Sequence, residues 1–339
     1  MQGVINLTVL DFSHSNSITH IPDVSGLPNL EKFSFKCCEN LIQIHDSVGY
    51  LGNLKTLDAA GCNNLKTFPP IRLISLEQLN LSHCSILESF PEILGKMGNV
   101  TELCIVGSPI KELPFSIINL NRLRKLKLHN CGIVQIPNSI VMLPELCLMS
   151  VSRCEVLWLS KPGKGEESET LSSNTEHLTL SYCNISDDFF PKGLTWFANV
   201  KDLDLSGNNF TIVHACLKEC HFLRSLNLDD CRLIREIVGI PQKLETFSAK
   251  ECVSLKYLDL AAESHSLREL ILDDCVNLRE IIGDLPNLNH FSAKNCTSLT
   301  SWCKSMLMNQ VPLLILILFS LIKMQSSILH NFILVFGMC

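Results

Sequence analysis

LEQLNLSHC (Leu76–Cys84) and LRSLNLDDC (Leu223–Cys231) share one pattern: apolar, two polar, apolar, polar, apolar, two polar, cysteine. The pattern starts thirteen times, at Leu7, Leu30, Leu54, Leu76, Val100, Leu123, Leu146, Thr175, Val200, Leu223, Leu244, Leu267 and Leu288. The steps between starts are 21 to 25 residues, apart from one of 29. Within each unit, alternation of apolar and polar residues sends Leu76, Leu79 and Leu81 to one side of a short strand and the residues between them to the other. A second apolar pair follows each strand, as in Leu65 and Phe68, Leu87 and Phe90, Ile110 and Leu113, or Leu278 and Ile281. That pair turns the chain back across the far side of a stacked array.

The nine-residue motif resembles the strand segment of a leucine-rich repeat, and a period this regular leaves little room for another fold. The expected fold class is an α/β leucine-rich repeat solenoid: a curved horseshoe with a parallel β-sheet on the concave face and an irregular, 3-10 or short helical convex side. The array is expected over 1–303, with a polar insertion at 160–175. An apolar tail follows at 304–339. Its uninterrupted run, Val311 to Ile322, is shorter than the roughly 20 residues a membrane helix needs. The tail reads as a gene-model artefact, because Gln310–Val311 can be encoded as a splice donor, or as a truncated post-repeat segment; a membrane-associated segment and a buried helix are the remaining alternatives. The first motif begins at Leu7 with no polar cap before it, which reads as the downstream piece of a longer chain.

The ninth motif position is cysteine in ten repeats: Cys38, Cys62, Cys84, Cys131, Cys154, Cys183, Cys231, Cys252, Cys275 and Cys296. Ser15, Ser108 and Asn208 complete the series. A small weak donor buried at a strand end can satisfy carbonyls that would otherwise be orphaned, so this ladder reads as structural. Thiols placed once per repeat lack the paired spacing of a zinc site, and the disulfide reading is weak for equivalent buried positions; a reduced, cytoplasmic or nucleo-cytoplasmic chain is expected.

Composition excludes several functions. Net charge is -6, aromatic residues make up 6% and charged residues 18%, giving no basic footprint for a nucleic acid. No HExxH, GxSxG, phosphate loop or dinucleotide loop occurs. His83, His129, His177 and His290 sit at outward strand positions with no fixed carboxylate or nucleophile in the pattern, so no enzyme is expected. No metal site and no membrane partner are expected either.

What such a fold offers is surface. The outward residues of repeat six are Arg124, Lys125, Lys127 and His129, and Arg153 of repeat seven extends this basic area. Repeats ten to twelve carry Asp229, Asp230, Glu251, Glu269, Asp273 and Asp274, with Arg224, Lys250 and Arg268 interspersed. Two areas of opposite sign would orient a protein partner, or they are ordinary solubilising charges.

Four further strings carry a family resemblance: LPFSIINLNRLRKL (113–126), IPNSIVMLPEL (136–146), REIVGIPQKLETFSAKECVSL (235–255) and REIIGDLPNLNHFSAKNCTSLTSWCKSML (279–307). They resemble the repeat region of plant TIR-NB-LRR disease-resistance proteins, the legume branch above all. The resemblance implies an intracellular immune-receptor sensor whose repeats recognise a pathogen effector or modified host guardee and hold a nucleotide-binding switch domain inactive. It places ADP or ATP and NAD in upstream domains, with no cofactor in this chain. A free-standing scaffold or decoy, or a fragment of an F-box substrate adaptor, are the alternatives.

Overall fold

The computed structural model describes residues 5–133, 135–155, 158–159, 173–187, 197–213, 217, 220–260, 265–283 and 285–310. Most of the polar insertion and the tail from Val311 lie outside the described residues. Packing divides the chain into two units, Met1–Leu205 and Ser206–Cys339. Each is a parallel β-solenoid with little helix.

In the first unit the main ladder runs in sequence order through Val9–Asp11, Lys32–Ser34, Thr56–Asp58 and Gln78–Asn80. A separate sheet takes in Glu102–Val106, Lys125–His129, Leu148–Ser152, His177–Ser181 and Asp202–Asp204. In the second unit it runs through Ser225–Asn227, Thr246–Ser248, Glu269–Ile271 and His290–Ser292. Registers are uniform, motif position on motif position: Leu57 pairs with Leu79, Leu103 with Leu126 and Phe247 with Leu270. Because side chains alternate, every apolar residue of one position falls on the same position of the next rung, and within each unit the core runs on from rung to rung. Leu54, Leu57, Leu65, Leu123, Leu126, Leu228 and Leu270 are completely buried, each worth about 1.5–3 kcal/mol of transfer free energy.

The return side combines 3-10 turns (Asp46–Tyr50, Phe115–Asn119, Asn138–Ile140) with short parallel ladders. In the second unit that ladder has four rungs: Ile212–Val213, Glu236–Val238, Tyr257–Asp259 and Glu280–Ile282. Their β-branched and aromatic content suits a pleated surface. The one described α-helix, Ser301–Gln310, follows the last rung. The insertion read at 160–175 ends earlier than expected, since Ser173 and Thr175 are fully buried and hydrogen-bond each other at 2.7 Å. Thr175 opens the eighth motif as a core residue.

The eighth motif position is left-handed in all thirteen repeats. Gly61, Gly107 and Gly207 take it with φ of 74°, 66° and 67°. His14, Cys37, His83, Asn130, Arg153, Tyr182, Asp230, Glu251, Asp274 and Asn295 take it with φ between 51° and 64°. A non-glycine residue there costs about 1–2 kcal/mol. The turn holds because it aims the eighth N–H at the seventh carbonyl of the next rung: His83 to Val106 at 2.7 Å, Asn130 to Ser152 at 2.9 Å, Asp274 to Lys294 at 2.7 Å. Successive eighth residues also touch, a Cβ on Gly107 falling 2.7 Å from Nδ1 of His83. Gly107→Ala is therefore expected to lower stability by about 1–2 kcal/mol, whereas His83→Gly, which removes left-handed strain, raises it by about 0.5–1 kcal/mol. Urea unfolding of the two variants checks both signs.

Candidate protein-recognition surface

The ninth position shows how the rungs are joined. Cys38 donates to the carbonyl of Phe12 at 3.1 Å, Cys62 to Phe35 at 3.2 Å, Cys84 to Ala59 at 3.2 Å, Cys131 to Ile105 at 3.4 Å and Cys183 to Val151 at 3.4 Å. In the second unit Cys252 donates to Leu228 at 3.2 Å, Cys275 to Ala249 at 2.9 Å and Cys296 to Leu272 at 3.0 Å. Each acceptor is the sixth residue of the preceding repeat. Ser108 does the same with a hydroxyl, 2.7 Å from the carbonyl of Leu81, and its oxygen also accepts from the N–H of Cys84 at 3.2 Å. Cys154 lies farther from Leu128, at 3.8 Å, and accepts from the N–H of Cys131 at 3.3 Å. Cys231 is fully buried at the same position.

A second ladder, of asparagines just before the motif, went unread in the sequence. The amides of Asn29, Asn53, Asn99, Asn174, Asn199 and Asn287 donate to Ile5, Pro28, Ile74, Pro144, Ser173 and His265 at 2.7–3.2 Å. The recurrent PNL, GNL and GNV strings were its signal.

With backbone and core so occupied, chemistry is left to the outward rows. In repeat six Lys125 and Lys127 lie on the strand Lys125–His129, and the acidic groups of neighbouring rungs meet the cations. Nζ of Lys127 is 2.8 Å from Glu102, and Arg122 and Arg124 lie 3.8 and 3.7 Å from Glu145. The hydrogen bond from Lys127 holds the Glu102 carboxyl below its ordinary pKa. Nδ1 of His129 is 2.6 Å from Oγ of Ser152. Arg153, on the left-handed turn, stacks over the ring of Tyr182 at 5.2 Å. The structure therefore brings Arg124, Lys125, Lys127, His129 and Arg153 onto one strand face and its edge, interleaved with Glu102 and Glu145 rather than bare of counter-charge. Tyr182, half-exposed beside Arg153, is an addition that the charge map had no means of finding.

The acidic residues divide by motif position. Asp229 accepts from Oγ of Ser248 at 2.5 Å and from the N–H of Lys250 at 2.8 Å, and Asp273 from Ser292 at 2.5 Å and Lys294 N–H at 2.8 Å. Both carboxylates tie one rung to the next. Asp230, Glu251 and Asp274 sit on the left-handed turns instead. Arg232 joins Asp230 at 2.6 Å to Glu251 at 3.3 Å, and Asn295 donates to Asp274 at 2.7 Å. Among the described residues no group of three or more metal-ligating side chains converges. Nor is any described helix long and apolar enough to cross a membrane.

A stack of parallel rungs with a polar strand face defines a leucine-rich-repeat interaction module. A family profile described as "Disease resistance protein RPS4B-like, leucine-rich repeats" matches residues 72–264, and the chain belongs to that family. TMV resistance protein N of Nicotiana glutinosa is 31% identical over 299 residues, 75% of this chain and 26% of that protein. Disease resistance protein RPS4B of Arabidopsis thaliana is 30% identical over 206 residues, 60% of this chain and 16% of that protein. The chain thus spans about a quarter or less of the length of these curated relatives. Among solved structures, the functional domain of InlJ from Listeria monocytogenes, described as including a cysteine ladder, superposes with a TM-score of 0.53 at 15% identity. That match covers 83% of this chain and 63% of the InlJ chain, and it supports the fold alone.

Two outcomes test the ladder. Cys275→Ala removes the donor to Ala249 and is expected to cost about 1–3 kcal/mol, with Cys275→Ser, the arrangement Ser108 already uses, costing less. Burial pushes the Cys62 thiol up to about 12, and those of Cys84 and Cys183 to about 11, from an ordinary value of 9.0. These raised values leave stability intact below pH about 9, where the unfolded thiols are protonated too, and remove it progressively as pH rises toward 11 to 12. A pH series of chemical denaturation should show this alkaline loss, reduced in Cys62→Ser.

Proposed function

We propose that this chain is the recognition region of an intracellular plant immune receptor, reading a pathogen effector or a modified host protein on its strand face. Membership of the disease-resistance repeat family carries the reading. The interaction-module fold and the polar strand face support it. Function is then protein binding rather than catalysis. ADP, ATP or NAD would be handled by domains other than these repeats, and the chain works in the cytoplasm, with access to the nucleus.

The second half of the reading is autoinhibition. A receptor that is silent until it binds needs one surface with different affinities for partner and switch domain in two states. The strand face of repeats six and seven suits the partner role. Lys125 and Arg153 present cationic groups outward, and Arg153 with Tyr182 forms an arginine–aromatic pair of the kind that dominates interface energetics. The acidic residues on the turns, Asp230, Glu251 and Asp274, form the second contact area. Asp229 and Asp273 are assigned a joining role instead.

The test joins the chain to its receptor's switch domains in leaf tissue. Lys125→Glu with Arg153→Glu is expected to abolish elicited cell death at unchanged protein level. Reversing Asp230 and Asp274 is expected to weaken it without causing spontaneous death. A full response from the basic-face variant would contradict the assignment. Spontaneous death from that variant would place the switch domain on this face.

A further inference from the structure

On the return ladder of the second unit, Arg235, Lys256 and Arg279 form one column. The N–H of Lys256 donates to the Arg235 carbonyl at 2.9 Å, and the N–H of Arg279 to the Lys256 carbonyl at 2.9 Å. All three side chains are exposed, and the column ends on uncharged Thr211 and Thr300. Adjacent strands lie about 4.8 Å apart, so three like charges stand over roughly 10 Å. Like charges directly across a ladder are destabilising.

At the corresponding position of the first unit the chain avoids that cost. The same column in the first unit reads Lys66, Glu88, Lys111, with Lys111 2.9 Å from Glu88. The Glu88 carboxyl is held low by the hydrogen bond and charge of Lys111, and Lys66 adds to it. On the strand face, too, Lys55 meets Glu31 at 2.9 Å and Lys201 meets Glu176 at 2.7 Å. Among the described residues, none of Arg235, Lys256 and Arg279 has an acidic group within 4.0 Å. Exposed apolar side chains border them: Leu233, Val238, Tyr257, Val276 and Ile282 all lie within three residues of a column cation. A uniform cationic column beside apolar side chains is the footprint of a surface meant to be covered.

We propose that this column docks an acidic amphipathic helix of a protein partner, on a face distinct from the strand face. Carboxylates at i, i+4 and i+7 of a helix stand about 5–6 Å apart, close to the rung spacing, so three can meet three. The apolar flank of such a helix would cover Val238 and Ile282 on the outer two rungs, with Asp259 in register between them. Glu236, Asp259 and Glu280, on the strands that begin one residue after the column, argue for this occupant. A bilayer of anionic lipid or a nucleic acid would be repelled by them, whereas a helix places its charges selectively.

The probe is a capped alanine-based helical peptide with Glu at i, i+4 and i+7 and Leu beside them, titrated against the full chain by fluorescence anisotropy. Binding is expected to weaken with salt, and Lys256→Glu is expected to reduce affinity at least about tenfold. Because that substitution recreates the alternating column of the first unit, it should also raise Tm by about 2 °C, separating loss of binding from loss of fold. Arg279→Gln provides a second variant that reduces affinity with little change in Tm. Lys32→Glu, on the strand face, should leave peptide affinity unchanged. The proposal is overturned if Lys256→Glu and Arg279→Gln bind as wild type, or if Lys32→Glu weakens binding equally. Tighter binding to phosphatidylserine vesicles or duplex DNA than to the peptide also overturns it.

Discussion

The bond on which this solenoid depends is the one from the ninth side chain of a repeat to the sixth carbonyl of the repeat before it. At the end of each strand the main chain turns left-handed, and the carbonyls on either side of the sixth find partners along the stack. The sixth N–H of one repeat reaches the fifth carbonyl of the next, as from Phe35 to Asp58, and the eighth N–H reaches the seventh carbonyl, as from Cys37 to Ala60. The sixth carbonyl, buried against the core, is reached by a thiol or a hydroxyl. An unpaired buried carbonyl would cost a large part of what one repeat contributes to stability. Cysteine suits the place because it buries like a small apolar side chain and still donates.

Once core and backbone are closed rung by rung, little constrains the outward residues except their neighbours one repeat away. That freedom explains the cross-rung charge pairs: Glu31 with Lys55, Glu88 with Lys111, Glu102 with Lys127 and Glu176 with Lys201. It also gives meaning to departures, since a column that stays uniformly positive, or a tyrosine on a turn where glycine costs least, is not demanded by the scaffold. Under the proposed function, the outward positions that depart from mutual satisfaction are the ones left to meet a partner.

The apolar positions and the cysteine ladder were plain in the sequence because both recur at fixed places and answer to burial. The left-handed turn was not, since only Gly61, Gly107 and Gly207 mark it and ten other repeats accept the strain with ordinary side chains. The dual use of acidic residues was hidden for another reason. Asp229 and Asp273 look like surface charge until the next rung is placed, when Ser248 and Ser292, nineteen residues on in each case, prove to be their partners. Pairing of this kind is set by register between repeats of unequal length, which a charge map read along one strand does not contain. Tyr182 was missed because its turn position carries no periodic signature.

Amide hydrogen exchange on the wild-type chain and on Cys275→Ala tests the central claim most directly. If the ninth side chain is what joins rungs, the substitution lowers protection first in the segments carrying Ala249 and Cys275 and in the neighbouring rung at His290–Ser292, leaving the first unit unchanged. Protection that stays the same throughout the second unit, or falls evenly over the whole chain, would contradict it.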